Sequence, residues 1–268
     1  MSTPTKRERR DAARQARLER EAAEAAAARR KRRLVQLGAA LLAVAVLVVA
    51  AIIISGGKDD STTAGGGSDV AGVSETTTML DGIPQSGTTL GKPDAPVTIY
   101  EFADLQCPFC KEFSQQNLPQ LVRDYVANGK AKLVYQDMAF IQGGSEEAAA
   151  AADAAGQQNK LWYFTNLFYW NQGEESSGYV TDAYVNNLYK AVPGLDVAKA
   201  DAARKTEPAT KAFEEPRELA DKYGVTSTPT FVAGPTGGEL EKLDASGSDY
   251  ASIKKALDPI VASASKGS

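Results

Sequence analysis

The chain has 268 residues, with two cysteines and no histidine. The absence of histidine leaves Cys–His and Ser–His hydrolase triads with little support, and two cysteines alone nearly exclude an intramolecular zinc site. We therefore expect no metal and no cofactor. The net charge of −4 is divided unevenly, because residues 1–33 carry a balance of +7 and the remainder carries −11.

The first predicted element is a transmembrane helix over residues 34–54, LVQLGAALLAVAVLVVAAIII. About 20 apolar residues suffice to cross the hydrocarbon core of a bilayer. The segment RRKRR at 29–33 abuts the run, so the positive-inside rule predicts a cytoplasmic basic tail over 1–33 and an extracytoplasmic remainder. A cleaved signal peptide is the alternative, but its apolar region is usually only about 7–15 residues long. We expect an uncleaved single-pass anchor in the cell membrane, in contact with lipid.

Residues 55–87 are predicted to form a flexible linker, since their first part is rich in Gly, Ser and Thr. A folded domain is expected over 88–268. Its apolar and β-branched run at 96–103 predicts a buried strand, and 131–140 predicts a second strand. A helical pattern lies between the two, interrupted by Pro119, which should kink it. This order is a βαβ unit.

A helical insert is expected over about 143–207, with a long helix at 145–172 and shorter helices at 178–192 and 196–206. The insert is rich in aromatic residues, which we expect to pack in the core; lining a substrate groove is the alternative. These residues are Trp162, Tyr163, Phe164, Phe168, Tyr169 and Trp170.

The chain after the insert predicts a return to the sheet. A helix is expected at 216–223 and a strand at 228–234, followed by a turn at Gly237-Gly238 and a final helix over 249–264. The fold class is thus α/β.

Both cysteines lie in one motif, Cys107-Pro108-Phe109-Cys110, at the first strand-to-helix turn. A purely structural disulfide is the alternative to redox exchange, but so short a loop gains little stability from closure. A helix N-terminus stabilises a thiolate. We therefore expect Cys107 to attack or be attacked and Cys110 to resolve the mixed disulfide.

With no histidine present, another group must handle the proton of the resolving thiol. Glu101 is the candidate, because it stands in an otherwise apolar strand, where burial would raise its pKa. A Glu satisfied by a lysine or water is the alternative. Asp104 is nearer in sequence, but we expect it in an exposed turn.

The segments EFADLQCPFC and YGVTSTPTFVAG together resemble the thioredoxin superfamily, and most closely its DsbA-like branch of membrane-anchored Gram-positive proteins. The resemblance covers about 88–265 and implies a thioredoxin fold interrupted by the helical insert. It implies that Cys107 is the nucleophile and Cys110 the resolving cysteine, and that Glu101 is the family's buried acid. Thr228-Pro229 resembles the loop whose proline is cis and whose backbone pairs with an extended substrate.

The position between the cysteines departs from the best-known strong oxidants of this branch, which have histidine where this chain has Phe109. We expect Cys107 to be less acidic than in those proteins and the couple to be less oxidising. We also expect Phe109, with Pro108, to contact apolar stretches of unfolded substrate.

The sequence thus predicts a membrane-tethered extracytoplasmic thiol–disulfide oxidoreductase that oxidises cysteines in exported proteins. The resemblance implies a membrane partner, linked to quinones, that reoxidises it. The basic tail could also be a nucleic-acid-binding arm, but its place beside a membrane span argues against this, and we expect no nucleic-acid partner. A reductase or isomerase on the same fold is the first alternative. A peptide-binding, chaperone-like module with a structural disulfide is the second.

Overall fold

The computed structural model describes residues 70–244 and 249–264, and the predicted tail and membrane helix lie outside these ranges. Within them, no helix is both long enough and apolar enough to cross a bilayer. The helices are α1 Val73–Leu80, α2 Pro108–Gln116, α3 Leu118–Leu121, α4 Ser145–Gly156, α5 Leu161–Trp170, α6 Asp182–Ala191, α7 Val197–Ala203, α8 Glu207–Thr210, α9 Glu214–Lys222 and α10 Tyr250–Ala264. The strands are β1 Gln85–Ser86, β2 Thr89–Leu90, β3 Val97–Ala103, β4 Ala131–Asp137, β5 Thr230–Pro235 and β6 Glu241–Lys242.

The strands form one sheet in the order β1-β2-β4-β3-β5-β6. The central strand β3 pairs parallel with β4 and antiparallel with β5. Its side chains are buried on both faces, which explains why its sequence is a continuous apolar run. The predicted βαβ unit is therefore present, with the cysteine motif where β3 passes into α2.

Pro119 does more than kink the first helix of this unit. Helix α2 ends at Gln116, and α3 starts anew at Leu118 with Pro119 in its first turn. Proline lacks the N–H that would bond to the carbonyl four residues earlier in a helix. Ending α2 and beginning a second helix at Leu118 avoids leaving such a carbonyl unsatisfied inside one long helix. A π-helical turn, Val122–Val126, completes the segment.

The helical insert forms between β4 and β5, as predicted, but its first helix is two helices. The chain turns between α4 and α5 at Asn159, which has a positive φ of 59°. Asn tolerates this left-handed conformation better than most residues, so it can reverse the chain. The aromatic residues of α5 lie mainly in the core, as expected, with Trp162, Phe164, Phe168 and Tyr169 all buried.

The predicted linker over 55–87 extends too far, because folded structure is already present at its end. Helix α1 lies within it, with Thr76 and Leu80 buried. The side chain of Asn171 accepts from the Ala71 N–H and donates to the Ala71 carbonyl, both at 3.0 Å. The Thr-rich sequence of α1 is a weak helix former, and packing against α5 stabilises it instead.

Candidate active site

Cys107 is the N-cap residue of α2, and Pro108 follows as its first helical residue. Proline suits this position because its missing N–H would have had no partner within the helix. The Cys107 side chain is 5% exposed, whereas Cys110, one turn further along, is 0% exposed. Phe109 lies between them and is 63% exposed. Both cysteines are therefore buried, but a small part of Cys107 stays accessible while Cys110 is completely covered.

The two thiols are free, and their environments shift their pKa values in opposite directions. The pKa of Cys107 falls from 9.0 to about 6, mainly because the Cys110 thiol donates a hydrogen bond to its sulfur. The Thr228 side chain and the N–H groups of Cys110 and Phe109 add to this effect against the opposing cost of burial. Burial raises the pKa of Cys110 well above its ordinary value. The lowered pKa favours the thiolate form of Cys107 at neutral pH, and the raised pKa favours the thiol form of Cys110.

The loop before β5 covers the sulfur pair from the other side. The Thr228–Pro229 peptide bond is cis, and the Thr228 carbonyl lies 3.5 Å from Cys107 Sγ. The Thr228 hydroxyl lies near enough to both sulfurs to lower both pKa values, although it has no partner within ordinary hydrogen-bond distance in the described chain. The fold thus brings Thr228 from 121 residues away to the nucleophile.

Glu101 lies on β3 and is almost completely buried. Its Oε2 has no hydrogen-bond partner in the described ranges. Burial raises its pKa from 4.5 to about 8. Cys110 and Glu101 both act electrostatically on Tyr135 and Tyr169, whose hydroxyls are 2.9 Å apart. The predicted acid therefore shares a buried environment with the predicted resolving thiol.

Asp104 is not in an exposed turn, as its position between strand and cysteine suggested, but is fully buried. Its carboxylate accepts hydrogen bonds from main-chain N–H groups of the turn after it and of the loop after β4. A polar side chain can be buried where several hydrogen-bond donors replace the water that it loses. Its partners in the β4 loop lie 36 and 37 residues away, so no local pattern announces them.

Two glutamines tie the motif to the helical insert, and sequence reasoning missed both. The Gln106 side chain donates to the Gln142 carbonyl at 3.0 Å and to Ser145 Oγ at 3.1 Å. The Gln172 side chain donates to the carbonyls of Leu105 at 2.7 Å and Cys107 at 3.1 Å. Gln106 directly precedes the motif, and this position could have indicated a contact with it. The sequence around Gln172 has no feature that indicates such a contact.

The structure thus brings Cys107, Cys110 and Thr228 into one site, with Pro229 in the adjoining loop and Glu101 behind it. Pro108 and Phe109 point outward, away from the buried sulfur. Across residues 70–244 and 249–264, no three Cys, Asp or Glu side chains cluster as a metal site would require. This arrangement can carry out thiol–disulfide exchange, in which the cysteine pair alternates between one disulfide and two thiols.

Comparisons with known proteins find a matching family model, similar disulfide bond formation proteins and a similar solved structure. The sequence model described as thioredoxin matches residues 85–258. A probable disulfide bond formation protein D of Bacillus cereus is 30% identical over 173 residues, covering 63% of this chain and 76% of that protein. The disulfide bond formation protein D of Bacillus subtilis is 26% identical over 171 residues, covering 63% and 74%. The crystal structure of oxidised BdbD from Bacillus subtilis matches with a TM-score of 0.58 at 24% identity, covering 67% of this chain and 96% of that one.

Proposed function

The chain belongs to the DsbA-like branch of the thioredoxin family, and on this premise we propose that it forms disulfide bonds in exported proteins through Cys107 and Cys110. It is a thiol:disulfide oxidoreductase. The observation that carries the proposal is the asymmetry of the two sulfurs. A lowered pKa on Cys107 and a raised pKa on Cys110 support nucleophile and resolving roles for these two residues, which lie within one helical turn.

The proposed reaction begins with the oxidised pair. A substrate thiolate attacks Cys107 Sγ, the bond between the two cysteines breaks, and Cys110 leaves as a thiolate. A second substrate thiolate then attacks the substrate sulfur of the mixed disulfide and releases the Cys107 thiolate. Two electrons pass to the pair, and the substrate gains a disulfide. Glu101, with a pKa of about 8, is proposed as the group that gives Cys110 its proton.

Substrate contacts are proposed for the exposed edge of the same site. The Thr228-Pro229 loop adjoins the central sheet, where an extended peptide could pair with its backbone. Phe109 and Pro108 would contact apolar side chains of an unfolded chain, because both are exposed beside the nucleophile. These roles follow from placement and from the family resemblance.

The cellular setting is also proposed. Residues 34–54 would tether the domain to the outer face of the cell membrane, with residues 1–33 in the cytoplasm. A membrane partner linked to quinones would reoxidise the pair after each turnover. The apolar run and its basic flank support the anchor, and the family resemblance supports the partner.

The reduction potential of the full-length chain against glutathione tests the direction of electron flow. A value closer to about −120 mV than to about −270 mV supports a disulfide donor, because these are the potentials of a strong oxidant and of thioredoxin. A value near the thioredoxin end would make the protein a reductant and overturn the proposal.

Two variants separate exchange from simple peptide binding. Cys110→Ser should trap a mixed disulfide between Cys107 and a substrate, since the resolving thiol is gone. Cys107→Ser should trap nothing and lose all exchange activity. If Cys107→Ser keeps its effect on substrate folding, the protein acts as a binding module and its disulfide is structural.

A further inference from the structure

Asp104 is the first residue after β3 and lies three positions before Cys107. Its Oδ1 accepts from Ser145 Oγ at 2.6 Å and from the Gln106 N–H at 2.8 Å. Its Oδ2 accepts from the N–H groups of Phe140 at 2.9 Å and Ile141 at 3.0 Å. Four donors surround a fully buried side chain, so the residue cannot move without breaking several hydrogen bonds.

The main chain of the same residue touches both cysteines. The Asp104 carbonyl accepts from the Cys107 N–H at 3.0 Å, and the Tyr169 hydroxyl donates to it at 3.4 Å. The Asp104 main chain also acts on the Cys110 sulfur, where it partly offsets the rise in pKa that burial causes. Asp104 therefore joins the sulfur pair to the loop after β4 and to the helical insert.

We propose that Asp104 is a positioning residue for thiol–disulfide exchange, whose buried carboxylate fixes the main-chain groups that hold Cys107 and stabilise the departing Cys110 thiolate. The inference rests on the proposed exchange at this pair. This role differs from the one proposed for Glu101, which is to give Cys110 its proton. Asp104 acts by holding its own backbone in place.

The step that depends on Asp104 is the attack of a substrate thiolate on Cys107. The new sulfur–sulfur bond forms at Cys107 while the old bond breaks, and Cys110 leaves with the electron pair. A leaving thiol departs faster when its thiolate is better stabilised. The Asp104 main chain acts on that sulfur, so a shift of the turn should slow this step.

Asp104→Asn tests the proposal with little change in volume. An amide supplies one acceptor oxygen and one NH₂ group, so either orientation places the NH₂ against at least one of the main-chain N–H groups that the carboxylate now accepts from. We expect the oxidised full-length chain to react with dithiothreitol about tenfold more slowly, as when one hydrogen bond to a charged group is weakened. The measurement is quenched-flow alkylation of the released thiols between pH 5 and pH 9.

Asp137→Asn is the matched control. Asp137 is also buried, and its Oδ1 accepts from the Ala139 N–H at 3.1 Å in the same loop. Within the described residues it has no hydrogen bond to the motif. Asp137 and Asp104 interact electrostatically, but the Asn side chain keeps an acceptor for the Ala139 N–H and leaves all four donors to the Asp104 carboxylate in place. We therefore expect the rate to stay within about twofold of the wild type.

A second variant keeps the proposal testable if Asp104→Asn does not fold. Ser145→Ala removes one of the four donors and leaves the carboxylate, so we expect a slowing of about two- to threefold. Near-UV circular dichroism checks that each variant is folded. The decisive readout is the rate constant together with the amplitude of thiol release. A loss of folded protein lowers the amplitude at an unchanged rate constant, whereas a poorer leaving group lowers the rate constant at full amplitude.

Three results would overturn the inference. They are a folded Asp104→Asn variant with the wild-type rate at every pH, a folded Ser145→Ala variant with no slowing, and an Asp137→Asn variant slowed as much as Asp104→Asn. A wild-type chain that does not react with dithiothreitol at all would instead contradict the proposed function. The two failures are therefore distinguishable in one set of experiments.

Discussion

The Cys107 sulfur owes its lowered pKa to neighbouring groups on α2 and in the loop before β5. The groups that lower its pKa are the Cys110 thiol, the Thr228 side chain and two main-chain N–H groups. A pKa of about 6 makes Cys107 mainly thiolate at neutral pH, yet strong oxidants have values of about 3.5. Because Phe109 is exposed, a charged side chain could replace it without a clash and lower the pKa of Cys107 further.

Phe109→His should make the couple more oxidising. An imidazolium beside the helix N-terminus would stabilise the Cys107 thiolate and lower its pKa below 6. The reduction potential should rise by about 30 mV for each unit by which that pKa falls, because one pKa unit is about 1.4 kcal/mol. Thiolate absorbance and glutathione equilibration measure the two quantities. Phe109→Leu is the control and should change neither; equal effects of Leu and His would rule out the charge as the cause.

Glu101 should make the stability of the domain depend on pH. Its carboxyl has a pKa of about 8 when folded against 4.5 ordinarily, so the folded state binds more protons between these values. The free energy of unfolding should therefore fall as the pH rises from about 4.5 to about 8. The loss between pH 4.5 and pH 7 is about 3 kcal/mol.

Glu101→Gln should remove this loss, and denaturant titrations at several pH values measure it. The exposed Glu147→Gln should leave the wild-type curve unchanged. A wild-type curve that is flat between pH 5 and pH 8 would show that the buried carboxyl is not penalised. The same Gln variant should also slow exchange, since an amide cannot carry the proton of Cys110.

At the scale of helices and strands, local signals predicted most of the fold. The apolar run of β3, the Cys-Pro-Phe-Cys turn and the Thr-Pro before β5 are each readable within a few residues. The turn at Asn159 and helix α1 were missed, because neither has a strong local signal. Asp104 was misplaced for the same reason: its burial depends on partners about forty residues away. The placement of such residues depends on contacts between elements that are far apart in the sequence.

Asp196 offers a test of how independent the insert is from the redox site. It is the N-cap of α7, and its carboxylate accepts from the Lys199 N–H at 3.0 Å. Asp196→Ala should lower the free energy of unfolding by about 1 kcal/mol, whereas Asp196→Asn keeps the cap and should cost little. The reduction potential should not change in either variant. A shifted potential in Asp196→Ala would show that α7 is coupled to the sulfur pair.

At the scale of the whole domain, α1 belongs to the folded unit. Val70 and Leu80 are buried in the main core, and the Asn171 side chain holds the Ala71 backbone. Gly72 has a φ of 81° and lies directly against the Trp170 side chain, so only glycine fits there. Trp170 ends α5, and Gln172, two residues later, holds the Cys107 carbonyl.

A fragment starting at residue 81 should therefore be less stable than one starting at residue 70. Burial of a Val or Leu side chain is worth roughly 1.5–3 kcal/mol each, and the entropy of ordering eleven residues offsets part of it. A net loss of about 2 kcal/mol corresponds to a Tm about 4–8 °C lower for a domain of this size. Gly72→Ala in the full-length chain should destabilise in the same direction through the clash with Trp170. Equal Tm values for the two fragments would mean that α1 only rests on the domain, and the core would then begin at β1.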